Sequence, residues 1–182
     1  MRVITGSARG RRLISPEGFD VRPTTDKVKE SLFNIIQFSL PGAVVLDLFA
    51  GSGQLGIEAL SRGADRVVFV DSARKSLDVV KKNIELCKFQ DCSQTYLCDF
   101  ASFIKTTAEK FDIVLLDPPY QKNLCVEALS RLSDIVNEDA VIICETQGDE
   151  DLPEEIGGFV VEKVYLYSSI KLTVYGVKTK GD

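Results

Sequence analysis

From Val44 onward the chain alternates short β-branched apolar runs with helical patterns, and this alternation restricts it to a mainly parallel sheet covered by helices on both faces. VVLDLF (44–49), RVVFVD (66–71), SQTYLCD (93–99), FDIVLLD (111–117) and AVIICET (140–146) are the successive strands. Their nearly unbroken apolar character is what strands buried on both faces require. Between the second and third, Leu77, Val80, Ile84 and Leu86 interleave with Lys81, Lys82 and Glu85, which predicts an amphipathic helix over 73–88. FVVEKVYLYS (159–168) and IKLTVYG (170–176) lie too close together for a parallel crossover, so they should pair as an antiparallel hairpin at the sheet edge. The expected sheet is α/β, mostly parallel and seven-stranded, ending in that hairpin.

Ahead of the sheet, MRVITG (1–6) and RRLISP (11–16) read as a short hairpin with glycine and basic residues at its turn. DKVKESLFNIIQFSL (26–40) reads as a helix begun near Thr24 or Thr25, with Val28, Leu32, Ile35 and Ile36 on one face and Pro41-Gly42 after it. A length of 182 residues suits one domain, and no repeat, low-complexity tract or linker marks a second. The expected division is one domain over 1–182, with a hairpin-and-helix extension over 1–40 and a sheet core over 41–182.

Composition removes several chemistries. Histidine is absent, which excludes Ser-His-Asp and Cys-His mechanisms together with the commonest metal ligand, and no metal site is expected. Cys87, Cys92, Cys98, Cys125 and Cys144 are odd in number, lack CxxC spacing and mostly sit among apolar neighbours, as reduced core thiols do. No apolar run approaches the roughly 20 residues of a bilayer-spanning helix, and MRVITGSARG lacks the apolar centre of a secretory signal. The expected compartment is therefore the cytoplasm, with no membrane partner. A net charge of −5 argues mildly against a nucleic-acid partner. That average hides Arg2, Arg9, Arg11, Arg12, Arg22, Lys27 and Lys29 in the N-terminal stretch and Asp149, Glu150, Asp151, Glu154 and Glu155 late in the chain.

The chemistry-bearing residues fall at successive strand ends. Gly51, Gly53 and Gly56 satisfy G-x-G-x-x-G between a strand and a helix, where small residues let a ligand approach the backbone closely. About 20 residues further on, Asp71 ends the next strand, where a carboxylate can accept both ribose hydroxyls of an adenosine cofactor. NAD and S-adenosylmethionine (SAM) both fit that pair. Asp47, just before the glycine turn, would repel a pyrophosphate but suits a cofactor with a cationic aminoacyl end. Asp99 and Phe100, after the third strand, suit the amino group and ring of adenine, although Asp99 fits an N-cap almost equally well.

Asp117-Pro118-Pro119-Tyr120 ends the fourth strand, beside the crevice where open α/β sheets bind ligands. Elsewhere such a segment would read as a proline turn closing a strand. Here two prolines fix their φ angles and remove two donors, so the Asp117 carboxylate and the Pro118 carbonyl can serve as acceptors in one small space. A nucleobase amino group carries two N–H donors, and accepting both would orient its nitrogen for attack on a methyl sulfonium. Tyr120 offers a ring on which an extruded base can stack.

At these residues the chain resembles the amino-methyltransferases with a [D/N/S]-P-P-[Y/F/W] motif and, more narrowly, the RsmD family. RVITGSARGRRL, RPTTDKVKESLFNII, LDLFAGSGQLGIEALSRGA and DPPY carry the likeness, in the family's order and spacing. The resemblance implies a Rossmann-like SAM-dependent methyltransferase acting on guanine N2 in 16S ribosomal RNA within a small-subunit particle, and acting as a monomer. It implies that Phe49, Ala50, Gly51, Ser52 and Gly53 wrap the cofactor beside Asp47, that Asp71 and Ser72 meet its ribose, and that Asp99 and Phe100 meet its adenine. Asp117, Pro118, Pro119 and Tyr120 would hold the target base. Arg9, Arg11, Arg12, Arg22, Thr24, Thr25 and Lys27 would contact RNA, against the plainer reading of a solvated basic turn. YLYSSIKLTVYG departs from the pattern, with serine where the glycine of a Tyr-Gly pair is expected. Adenine N6 in DNA or RNA, or a protein glutamine amide, would also suit the clamp, and a nucleotide- or NAD-binding module without methyl transfer is a rival of another class.

Overall fold

The central strand, β1 (Val44–Asp47), pairs in parallel with β2 (Arg66–Asp71) on one side and with β4 (Phe111–Leu116) on the other. The computed structural model describes residues 1–15, 26–120 and 123–178. Among these, β3 (Ser93–Leu97), β5 (Val136–Gln147), β6 (Glu155–Ile156), β7 (Phe159–Tyr167) and β8 (Ile170–Val177) complete one sheet, in the order β3-β2-β1-β4-β5-β8-β7-β6. β1 through β5 are parallel, whereas β6, β7 and β8 join antiparallel. The seven strands expected from the sequence are all present. The eighth, β6, is a two-residue strand that returns onto β7 across Gly157 and Gly158, both at positive φ.

Helices α1 (Asp26–Ile35), α2 (Gln54–Ser61), α3 (Arg74–Cys87), α4 (Phe100–Thr106) and α5 (Leu124–Leu129) cover the two faces. Side chains alternate across a strand, so Val45, Val67, Phe69, Ile113 and Leu115 pack with α1, α2 and α3. Leu46, Val68, Val70, Val114 and Leu116 pack with α4 and α5. Cys87, Cys125 and Cys144 are buried free thiols, and Cys92 and Cys98 are half-buried ones. Among the described residues no helix is long and apolar enough to cross a membrane.

Several elements are shorter than the sequence pattern predicts. α1 stops at Ile35, and the chain then turns to bury Leu40 before β1 starts. β3 stops at Leu97, because Asp99 already serves as the N-cap of α4. The N-terminal hairpin makes a single antiparallel bridge, Arg2 to Arg12, flanked by Val3 N–H donating to the Arg11 carbonyl at 2.9 Å.

The hairpin ladder is brief because side chains of α2 take its backbone groups. Glu58 accepts from Ile4 N–H at 2.8 Å through Oε2 and from Thr5 N–H at 3.0 Å through Oε1. Ser61 Oγ accepts from Ala8 N–H at 2.9 Å and donates to the Thr5 carbonyl at 2.5 Å. Glu58 is wholly buried, and the charges of Lys29, at 3.6 Å, and Arg62, at 2.9 Å, offset its own. Burial pushes the Lys29 ammonium below its usual pKa, against the opposing pull of Glu58 and Asp26.

Gly56 fixes how closely α2 can approach the sheet, since a Cβ there would lie 2.2 Å from Phe69 Cε1 and 2.8 Å from Val67 Cγ1. Gly56→Ala should therefore destabilise the protein by about 1–3 kcal/mol, the cost of overpacking exceeding the gain in helix propensity. A urea titration that leaves the unfolding midpoint unchanged would contradict this contact.

Candidate active site

The chain proceeds from β1 to β2 and β3 in one direction along the sheet, then crosses back to β4 and β5 on the other side of β1. The reversal sets the C-terminal ends of β1 and β4 side by side, the usual ligand position in open α/β sheets. Asp47 pairs with Leu115 in register, and Leu48 N–H still donates to the Leu115 carbonyl at 3.2 Å. Asp117 follows Leu115 by two residues. The glycine turn and the Asp-Pro-Pro-Tyr turn thus leave adjacent strands side by side.

The glycine turn is held by carboxylates from two strand ends. Ala50 N–H donates to the Val70 carbonyl at 2.9 Å, and Gly53 is the N-cap of α2. Gly51 N–H donates to Asp71 Oδ2 at 2.9 Å, while Asp71 Oδ1 accepts from Ala73 N–H at 2.7 Å. Gly56 N–H donates to Asp47 Oδ2 at 3.0 Å. Asp47 is only 2% exposed, seated below the turn rather than on its rim. Burial pushes its carboxyl up to about 7; Asp117 and Asp71 push the same way, against the Gly56 N–H that favours the carboxylate. A carboxylate pressed by two like charges is stabilised by a nearby cation, which fits the cationic end of SAM.

At the β3 end, Asp99 Oδ1 accepts from Ser102 N–H at 2.9 Å and Oδ2 accepts from Ser102 Oγ at 2.7 Å. These bonds hold its carboxyl below the usual range. The N-cap reading of Asp99 is thus present in the structure, and the carboxylate remains exposed to a ligand. The Phe49 and Phe100 rings lie 5.4 Å apart at 47°, in direct contact between the ends of β1 and β3. Ser52 is buried in the turn, Ala50 lies under it, and Ser72 is exposed beside Asp71.

In the proline turn Asp117 is half-buried, Pro118 buried and Pro119 exposed. The Tyr120 hydroxyl donates to Glu145 Oε1 at 3.2 Å. Glu145, on β5, is only 2% exposed and was not singled out from the sequence. An acidic residue inside the apolar run AVIICET was the available signal. Tyr120 also borders a cleft of about 530 Å³ with Gln147, Asp149, Ser168, Ser169 and Ile170, and no glycine-turn residue lines it. Ser168, at the β7–β8 turn, adopts φ 55°, a left-handed conformation that accounts for the glycine expected there.

The proposed RNA-contacting residues are distributed differently. Arg9, Arg11 and Arg12 are exposed on the N-terminal hairpin. Lys27 is exposed at the start of α1 and borders a second cleft with Leu166 and Tyr167. Arg22, Thr24 and Thr25 lie outside the described residues. Among the described residues no group of three or more potential metal ligands is gathered.

The reversal of strand order at the glycine turn and the antiparallel end of the sheet define the Rossmann-like fold of SAM-dependent methyltransferases. Residues 1–176 match a family model described as Conserved hypothetical protein 95, and the chain belongs to that family, the RsmD family. A relative from Haemophilus influenzae, Ribosomal RNA small subunit methyltransferase D, is 39% identical over 160 residues, covering 84% of this chain and 81% of the relative. A solved Escherichia coli structure, provisionally described as a methyltransferase, superposes with a TM-score of 0.86 at 31% identity and covers 99% of both chains. A more distant structure, provisionally described as a methyltransferase and complexed with SAH, shares the fold at a TM-score of 0.69 and 18% identity, over 82% of this chain and 49% of that one.

The raised Asp47 carboxyl has a measurable consequence. Its pKa when folded, about 7, exceeds its ordinary value of 3.8, so the folded state holds the proton more tightly. The associated stability is fully present below the ordinary pKa and is lost as pH rises through about 7. Ligand-free protein should lose about 1.4 kcal/mol between pH 6 and 8 from this group, and Asp47→Asn should remove that loss while weakening SAM binding. Thermal denaturation at the two pH values tests it, and equal slopes for both proteins would refute the assignment.

Proposed function

We propose that this chain transfers the methyl group of SAM to the exocyclic N2 amino group of a guanine in 16S ribosomal RNA. SAM-dependent methylation of ribosomal RNA is the broader activity, supported by family membership and by the description of the Haemophilus influenzae relative. The observation that carries the reading is the adjacency of the glycine turn and the Asp117–Tyr120 turn across β1 and β4. Only such adjacency lets a methyl donor and an acceptor amine share one crevice. In this reading residues 1–40 form an RNA-contacting extension and residues 41–182 the catalytic core of one domain.

Bound SAM supplies an electrophilic methyl group on a sulfonium, and the methyl leaves with the sulfur retaining the bonding electron pair. The residues of this chain orient and stabilise. Phe49 and Phe100, whose rings touch, would offer apolar surface to the adenine, Asp71 would accept from the ribose hydroxyls, and Asp47 would offset the positive aminoacyl end. The Asp117 carboxylate and the Pro118 carbonyl accept the two amino hydrogens, aligning the nitrogen lone pair with the methyl. As the new N–C bond forms, positive charge develops on nitrogen, and the Asp117 carboxylate stabilises it before one proton is lost to Asp117 or to water. Tyr120, steadied by Glu145, stacks on the extruded base. Arg9, Arg11, Arg12, Arg22, Thr24, Thr25 and Lys27 anchor the RNA, and a small-subunit particle is the proposed form of the substrate.

Asp117→Ala should lower kcat by about 100-fold or more while leaving SAM affinity within about twofold, because the carboxylate acts on the acceptor and its developing charge. Incubation with labelled SAM and unmodified small subunits, followed by nucleoside analysis, identifies the product. Labelled N6-methyladenosine, or label on a protein glutamine, would replace guanine N2 as the acceptor.

A further inference from the structure

Asn83 is an amide on the buried side of α3 with 0% exposure, outside the residues assigned above to cofactor or base. Its Oδ1 accepts from Ile14 N–H at 2.8 Å, and its Nδ2 donates to the Ile14 carbonyl at 3.0 Å. The same Nδ2 donates to the Ser52 carbonyl at 2.9 Å. One planar group therefore pairs with Ile14 as a neighbouring strand would, and grips the glycine turn with its remaining hydrogen. The preceding residue, Gly51, gives its N–H to Asp71. Hydrogen bonds at Ser52 and Gly51, joined by the backbone between them, thus link the N-terminal segment to the carboxylate at the end of β2.

A second contact lies in parallel: Ser52 Oγ is 3.3 Å from Met1 Sδ. The rest of the segment is fastened to α2 by Glu58 and Ser61. The amide oxygen and nitrogen are both engaged, the nitrogen twice, so the bridge resists displacement of either partner alone.

We propose that Asn83 is a positioning residue that couples the N-terminal segment to the glycine turn, so that RNA held by that segment tightens the cofactor site and bound cofactor tightens RNA. This rests on the reading that RNA contacts the segment and that SAM occupies the turn. Thermodynamic linkage requires the two enhancements to be equal.

Calorimetry with S-adenosylhomocysteine, with and without saturating small-subunit RNA, tests the coupling in wild type, Asn83→Ala, Ile14→Pro and Asp71→Ala. RNA should tighten wild-type cofactor binding by about fivefold or more, the lower range of allosteric couplings. Asn83→Ala should weaken cofactor binding about tenfold, or about 1.4 kcal/mol, and abolish the enhancement by RNA. Its KM for SAM should rise in step, with kcat changed by less than about twofold, a split that general destabilisation would not produce. Ile14→Pro, at an exposed residue, removes the donor to Asn83 Oδ1 and should also abolish the enhancement; it carries the test if circular dichroism shows Asn83→Ala unfolded.

Wild-type binding that RNA does not alter, or an enhancement that persists in the folded variants, overturns the proposal. Asp71→Ala separates the two levels: a loss of cofactor affinity there upholds the cofactor assignment even when the coupling fails. Normal binding by Asp71→Ala removes that assignment and the inference together.

Discussion

The hydrogen-bonded pairing of β1 with β4 is the constraint on which the rest depends. Two strands distant in sequence lie in parallel register, with Asp47 opposite Leu115, so whatever follows each strand emerges at the same place. The glycine turn follows one and the proline turn follows the other. Parallel strands require crossovers, and these crossovers supply the helices that bury both faces and leave the strand ends open. The scaffold and the meeting of the two turns are consequences of one topological reversal.

Around that reversal the chain gathers negative charge. Asp47, Asp71 and Asp117 come from three neighbouring strand ends, and the effect of the latter two on Asp47 records their proximity. These carboxylates can offset the positive charge of a sulfonium cofactor. Backbone N–H groups from Gly51, Gly56 and Ala73 hold two of these carboxylates in place. The glycine turn and the acids therefore support one another: the amides fix the charges, and the charges fix the turn.

Much of this was legible in the sequence, because strands buried on both faces have to be apolar and their polar ends then stand out. Asp47, Asp71, Asp99 and Asp117 were readable for that reason, as were the glycines and the flanking aromatics. Contacts that depend on tertiary proximity were not. Glu145 sits within an apolar run, and only the folded sheet brings it to Tyr120. Asn83 reads as an ordinary polar residue of an amphipathic helix until Ile14 and Ser52 arrive on its two sides. The N-terminal hairpin was read from local signals, but its ladder is short because α2 supplies partners that no local pattern announces. The eighth strand needed only two residues, below the length at which alternation becomes visible.

The way the N-terminal segment is fastened also bears on the order of folding. Backbone groups of Ile4, Thr5, Ala8 and Ile14 bond to side chains 53 to 69 residues later in the chain, on helices packed against the sheet. During vectorial synthesis this stretch therefore waits, unsatisfied and solvated, until α3 has emerged and settled. A segment made early is seated only after α3 has been made.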